Sequence, residues 1–196
     1  MTGLPLRIIV GLGNPGPEHK VTRHNAGFWF VDLLARRENA EFRDYRKFSG
    51  ETARVTIAGQ EIILLKPTTY MNRSGLAIHQ LSEFFKIPAE EILVAHDEMD
   101  LPVGSLRLKH GGGHGGHNGL RDAIAHVGDG FWRLRIGVGH PGVKAEVIDY
   151  VLTRPPKAEE DMILEAVGTA ADCIPQLLEQ GAERVMSKLH SRAGKT

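Results

Sequence analysis

The sequence predicts an α/β fold: a single globular domain with a twisted, mixed β-sheet surrounded by helices. Three observations carry that expectation. Short, nearly continuous apolar runs at 6–12 and 92–95 have the profile of strands buried on both faces. Segments of helical periodicity lie between them, and such alternation builds a sheet with crossover helices. A length of 196 residues suits one core, and no repeat, low-complexity linker or compositional break divides it, so 1–196 reads as one domain.

The first strand, 6–12, ends in glycines. A loop rich in Pro and Gly leads to an amphipathic helix over 25–38, with Phe28, Val31, Leu34 and Ala35 at helical spacing. Segments 51–58 and 61–66 flank Gly59-Gln60 and read as a hairpin that Pro67 ends. A second helix is expected from Asn72, a good N-cap, with Leu76, Leu81, Phe84 and Phe85 inward until Ile87-Pro88 stops it. The 92–95 strand follows, with 106–108 expected to pair beside it. A glycine-dense loop over 111–119 then opens a helix through about Val127, and 133–138 is the last clear strand. From Pro155 onward the chain turns helical, longest over 158–180, and 191–196 is small, polar and expected to form a frayed tail.

Composition narrows the function. The 24 Lys and Arg balance 24 Asp and Glu, so a nucleic-acid partner would have to be held by a local basic patch. No apolar run approaches the roughly 20 residues a bilayer requires, and Cys173, the single cysteine, has no second cysteine in the chain to form an internal disulfide. The first residues lack a basic segment followed by an apolar one, so the cytoplasm is the expected compartment.

Two glycine-rich loops invite specific chemistry. Gly11-Leu12-Gly13-Asn14-Pro15-Gly16 fits the dinucleotide pattern G-x-G-x-x-G after a strand. Pro15, Gly16 and Pro17 push the helix start toward Asn25, too late for its N-terminal N–H groups to meet a pyrophosphate, so NAD is the weaker reading. The second loop begins His110-Gly111-Gly112-Gly113, like a lipase oxyanion loop, yet the chain has no G-x-S-x-G elbow. His110, His114 and His117 suggest zinc, but no cysteine accompanies them, and a flexible, positively chargeable loop that admits a bulky ligand is the preferred reading.

What remains is a set of polar residues at strand ends and helix starts: Asn14, His24, Asn72, Asp97 and Asn118. Singly, an Asn at a helix start is a cap, His24 a surface histidine, and Asp97 with Glu98 and Asp100 an acidic turn or a divalent-metal site. Ligands of open α/β sheets bind beyond the carboxyl ends of strands, so these positions can converge. Together they supply a histidine base, a carboxylate to orient it, and neutral amides for a carbonyl and a water.

The strings VGLGNPG (10–16), TRHNAGF (22–28), KPTTYMNRSG (66–75), ILVAHDEMDLP (92–102), GGGHGGHNGL (111–120) and RLRIGVGHPG (133–142) make the chain resemble bacterial peptidyl-tRNA hydrolase along nearly its whole length. The resemblance implies a monomeric cytoplasmic enzyme that cleaves the ester between a peptide and the terminal ribose of tRNA, returning tRNA to translation. It implies no metal and no organic cofactor. By position, His24 matches the family's catalytic histidine, Asp97 its aspartate, and Asn14, Asn72 and Asn118 its active-site asparagines. Asn118 is expected to serve the oxyanion or the water, and Asn14 and Asn72 the ester and peptide backbone. Met71 matches a residue of the peptide channel, and Tyr70 is expected beside it. His19 stands where the family usually has tyrosine; it is left out of the catalytic set and kept as a substrate-side residue.

Residues 103–146 carry an excess of three positive charges in this neutral chain. Lys109 and Arg135 match residues the family uses to grip the tRNA 5′-phosphate, and Lys144 is the third candidate. The C-terminal Arg184, Lys188, Arg192 and Lys195 offer a weaker contact to the acceptor arm.

Overall fold

A seven-stranded mixed sheet in the order β2-β3-β4-β1-β5-β7-β6 organises the computed structural model, which describes residues 3–192. The strands are β1 (Ile8–Gly11), β2 (Arg43–Tyr45), β3 (Gly50–Ile57), β4 (Gln60–Pro67), β5 (Ile92–Glu98), β6 (Leu106–His110) and β7 (Trp132–Gly137). The helices are α1 (Ala26–Arg37), α2 (Ser74–Phe85), α3 (Asn118–Val127), α4 (Val147–Val151), α5 (Lys157–Gln180) and α6 (Ala182–Arg192). Strands β4, β1, β5 and β7 run parallel, whereas β2, β3 and β6 join antiparallel at the two flanks.

Both faces of the parallel centre are covered, which explains its unbroken apolar strands. Ile9, Leu93 and Ala95 pack with α1, α5 and α6, while Ile8, Val10, Ile92 and Val94 pack with α2 and α3. Each Ile, Leu or Val among them contributes about 1.5–3 kcal/mol on full burial. Gly27 lets α1 lie directly on the sheet, because a Cβ there would stand 2.4 Å from the Ala95 carbonyl oxygen and 2.6 Å from the Leu12 nitrogen.

Several expectations need correction. The 106–108 segment does not pair with β5: β7 lies between them, and β6 forms the outer edge through Leu106↔Ile136 and Leu108↔Leu134. The parallel partner takes the inner place because β7 is buried enough to sit between two neighbours. In α1 the inward stripe includes Phe30 rather than Phe28. In α2 the stripe runs through Ala77, Ile78 and Leu81, and Phe84 faces out, 58% exposed, against Phe48 and Lys47. Helix α6 continues through Arg192, so 191 and 192 belong to the helix rather than to the expected tail; residues 193–196, including Lys195, lie outside the described residues.

Candidate active site

Three adjacent parallel strands deliver polar residues to one edge of the sheet. Asn14 follows β1, Met71 and Asn72 follow β4, and Asp97 lies near the end of β5. The carboxyl ends of strands are where open α/β sheets hold ligands. A single 3-10 turn, Arg23–Asn25, places His24 just before α1, and the glycine-rich loop after β6 brings His117 and Asn118 across from it. Asn14, His24, Tyr70, Met71, Asn72, Asp97, His117 and Asn118 all line one cleft of about 290 Å³. Its other wall is apolar, formed by Val147, Ile148, Val151 and Leu152 around α4.

Asp97 is the hub. One carboxylate oxygen accepts from His24 Nδ1 at 2.8 Å, and the other accepts from His117 Nε2 at 2.8 Å. Burial would raise the Asp97 pKa, but the two imidazoles and their hydrogen bonds prevail and hold it well below the usual carboxylate range. For His24, burial favours the neutral ring, and the Asp97 charge and hydrogen bond outweigh it, raising the pKa above 6.5. A carboxylate accepts only, so His24 carries its proton on Nδ1 and its basic lone pair on Nε2.

His117 was grouped in the sequence with two other histidines, and the structure separates them. His110 stacks on Trp132 and bonds the Gly130 carbonyl, and His114 accepts from the Gly116 N–H. His117 caps α3: its Nδ1 accepts from the Leu120 N–H at 3.3 Å, which leaves Nε2 as the protonated nitrogen facing Asp97. That cap also bears on metal binding. The ligand atoms of His24, Asp97 and His117 lie within 4.8 Å of one another, close enough to surround an ion. A metal on His117 Nε2 would force the proton onto Nδ1, against the Leu120 N–H. The donor set fits a hydrogen-bonded relay better than a metal centre.

Neither Asn72 nor Asn118 is the N-cap of its helix. Asn72 lies in the 3-10 turn Met71–Arg73, one residue short of the N-cap of α2, and its exposed side chain lines the cleft. Asn118 is the first residue of α3, and the cap beside it is His117. Asn118 Oδ1 accepts from Arg121 at 3.1 Å, so its NH₂ is the group left for a ligand. Asn14 Oδ1 accepts from the Met71 N–H at 2.7 Å, which orients its NH₂ in the same way. Asn25, 1% exposed, ties the loop together by accepting from the Asn14 N–H and donating to the Asn14 carbonyl. The sequence marks Asn25 only as the start of the first helix, beside His24 in the TRHNAGF string.

Buried residues set the glycine loop. Arg133, 1% exposed, donates to the carbonyls of Gly111 and Gly112, so the loop expected to be flexible is strapped at its start and bonded to Asp97 at its end. Gly119 permits the close approach of α3, since a Cβ there would stand 2.5 Å from Met71 Sδ. His96, fully buried and pushed down to about 3 chiefly by desolvation, stays neutral and donates to the Asp97 carbonyl.

The remaining predicted residues lie around this centre. His19 does not line the cleft; its ring meets the edge of Tyr70, which is 63% exposed, at a centroid distance of 6.4 Å. Register pairs Lys109 with Arg133 and Arg107 with Arg135, so these four cations share one sheet face. Arg135 Nε is held by Glu98 at 2.8 Å, Lys109 is exposed, and Lys144 is exposed in the turn before α4.

An α/β sheet with a carboxylate-bound imidazole and amide donors beyond its parallel strands has the parts of a hydrolase acting on a carbonyl. The comparisons make this particular. The peptidyl-tRNA hydrolase family model matches residues 8–196. A peptidyl-tRNA hydrolase of Serratia proteamaculans (strain 568) is 51% identical over 188 residues, covering 95% of this chain and 96% of that one. The crystal structure of peptidyl-tRNA hydrolase from Acinetobacter baumannii matches with a TM-score of 0.93 at 45% identity, covering 97% of both chains. The chain belongs to the peptidyl-tRNA hydrolase family.

Proposed function

We propose that the chain hydrolyses the ester of peptidyl-tRNA by direct attack of water, with His24 as general base and no covalent intermediate. The observation that carries this is the Asp97–His24 bond, which leaves Nε2 unprotonated at the cleft. His24 Nε2 takes a proton from water as oxygen bonds to the ester carbonyl carbon, and Asp97 stabilises the imidazolium that forms. The Asn118 NH₂ is the donor to the developing oxyanion, a neutral group that need not be reorganised as charge appears. Asn14 and Asn72 position the ester and peptide backbone, with Met71 and Tyr70 along the channel and His19 supporting Tyr70. Collapse expels the ribose oxygen, which regains the proton from His24, and the peptide leaves with a free carboxyl group. Among the described residues lining the cleft there is no Ser, Thr or Cys to act as nucleophile, which supports water as the attacking group.

The cleft volume is near the lower end of the roughly 300–1,000 Å³ typical of ligand sites, so it admits the ester and its adjoining residues while the RNA stays outside. Lys109, Arg135 and Lys144 would then grip phosphate, Lys109 and Arg135 at the 5′ end. A working monomer is part of this reading, and no described helix is long and apolar enough to cross a membrane. We place the enzyme in the cytoplasm with tRNA as its partner.

Incubation with an N-acetyl-aminoacyl-tRNA in ¹⁸O-water tests the reading. One label should enter the carboxyl group of the released acid, and His24→Ala should stop release. Label in the tRNA ribose, an acyl-enzyme trapped when the working wild-type enzyme is acid-quenched, or full turnover by the variant would defeat it.

A further inference from the structure

The apolar wall of the cleft rests on a five-residue helix. Isolated helices shorter than about 12 residues are marginal in water, and α4 exposes Ile148 at 71%, so packing does little to hold it. It is held at its C-terminal end. The buried guanidinium of Arg23 lies 3.8 Å from the centroid of the Tyr150 ring, and its Nη1 donates to the Tyr150 carbonyl at 2.8 Å and the Thr153 carbonyl at 3.3 Å. The Tyr150 carbonyl also takes the Thr153 N–H at 3.3 Å, so Arg23 adds to the backbone bonds that close this helix end. Arg23 Nη2 reaches Glu159 on α5 at 3.5 Å, and the Arg23 backbone N–H also meets the Thr153 carbonyl. Tyr150 adds an O–H bond of 2.6 Å to the Val138 carbonyl.

Arg23 immediately precedes His24 in the same 3-10 turn. The wall that faces the peptide and the imidazole that faces the ester are therefore fastened to one residue. Stability alone is a poor reason for it: a buried ion pair contributes little compared with apolar packing, and Arg23 Nε is buried without a partner among the described residues. We propose that Arg23 is a positioning residue that sets the height of the α4 wall over His24, so that a peptide lying on Val147, Ile148, Val151 and Leu152 presents its terminal carbonyl to Nε2. This rests on the reading of the cleft as the peptide site. It predicts that Arg23 governs the peptide part of the substrate and leaves recognition of the RNA part unchanged.

Arg23→Lys keeps the charge but loses the planar fork and the ring stacking. Tyr150→Phe keeps the ring and removes only the bond to Val138. With N-acetylphenylalanyl-tRNA, Arg23→Lys should raise KM about tenfold and lower kcat as well, because a displaced wall both loosens the peptide and misplaces its carbonyl relative to Nε2. Tyr150→Phe should raise KM by a smaller factor. The inhibition constant of uncharged tRNA should stay within about twofold of wild type in both, since the phosphate contacts are untouched. The inference is overturned if either variant, folded at the assay temperature, keeps the wild-type KM and shows only a lower Tm. It is equally overturned if uncharged tRNA weakens in parallel with KM. Should Arg23→Lys fail to fold, Tyr150→Phe decides alone. Failure of the broader reading looks different: it would be an active His24→Ala variant or an inactive wild type.

Discussion

The imidazole–carboxylate centre and the cationic sheet face at β6 and β7 are built on opposite terms. At the centre, Asp97 is 2% exposed, both its oxygens accept from imidazole N–H groups, and the Leu120 N–H fixes the tautomer of His117. On the cationic face, Lys109 points to water, and Arg135 is held by a partly exposed carboxylate. A buried group is specified by geometry and fails steeply when one partner changes, whereas an exposed charge acts through solvent and fails gradually. Under the proposed mechanism the centre would govern the chemical step, and the face would govern how the RNA is held.

The largest effect should follow loss of the base. His24→Ala should lower kcat by about 10²–10⁴-fold while KM changes little, measured by release of the blocked amino acid. Orientation alone would make Asp97→Asn the milder change, but the two-ring geometry removes most of that difference. An Asn offers one acceptor and one donor where two N–H groups approach, and the α3 cap fixes the proton of His117. The amide NH₂ must then face His24 and drive its proton to Nε2, the tautomer that cannot act as base. A loss of about 10²-fold or more in kcat is expected, with the protein still folded by circular dichroism.

Smaller effects belong to the exposed face. Ala at Lys109 or Arg135 should raise KM by about 10- to 100-fold, leave kcat near wild type and flatten the salt dependence, since charge-assisted phosphate contacts contribute roughly 1.5–3 kcal/mol. Removal of the 5′-phosphate from the tRNA should penalise wild type and leave these variants indifferent. If wild type hydrolyses both forms equally, the face is ordinary solvated charge. The smallest effect expected is from chelators: EDTA should leave turnover unchanged, because the α3 cap opposes a metal on His117. Activity lost to EDTA and restored by zinc would reverse that reading.

The same contrast governs how much was legible in the sequence. The central strands and the α1, α2, α3 and α5 helices show their periodicity because burial imposes it, as at Ile8–Gly11 and Ile92–Glu98. Strand β2, Arg-Asp-Tyr and exposed throughout, has no apolar signal; it exists because its backbone pairs with β3. In the site, His24, Asp97 and the three asparagines were legible as residue types at strand ends. His117, Asn25, Arg133 and Arg23 were not, because each takes its role from a partner at least 11 residues away in the chain. A fixed imidazole proton or a strapped loop appears only when both partners are in place.

The pH dependence of kcat/KM, compared between wild type and Asp97→Asn, tests the central claim most directly. Asp97 raises the His24 pKa in the folded protein, so wild-type activity should be low where the ring is protonated and rise with pH through an inflection above 6.5. The same raised pKa means that the stability gained from this ion pair is present below the unfolded pKa and is lost as pH rises through the folded value. Replacing the carboxylate leaves burial acting alone on His24, so the residual activity of Asp97→Asn should show its inflection at lower pH. An inflection that stays in place when Asp97 is changed would contradict the assignment of His24 as the Asp97-oriented base.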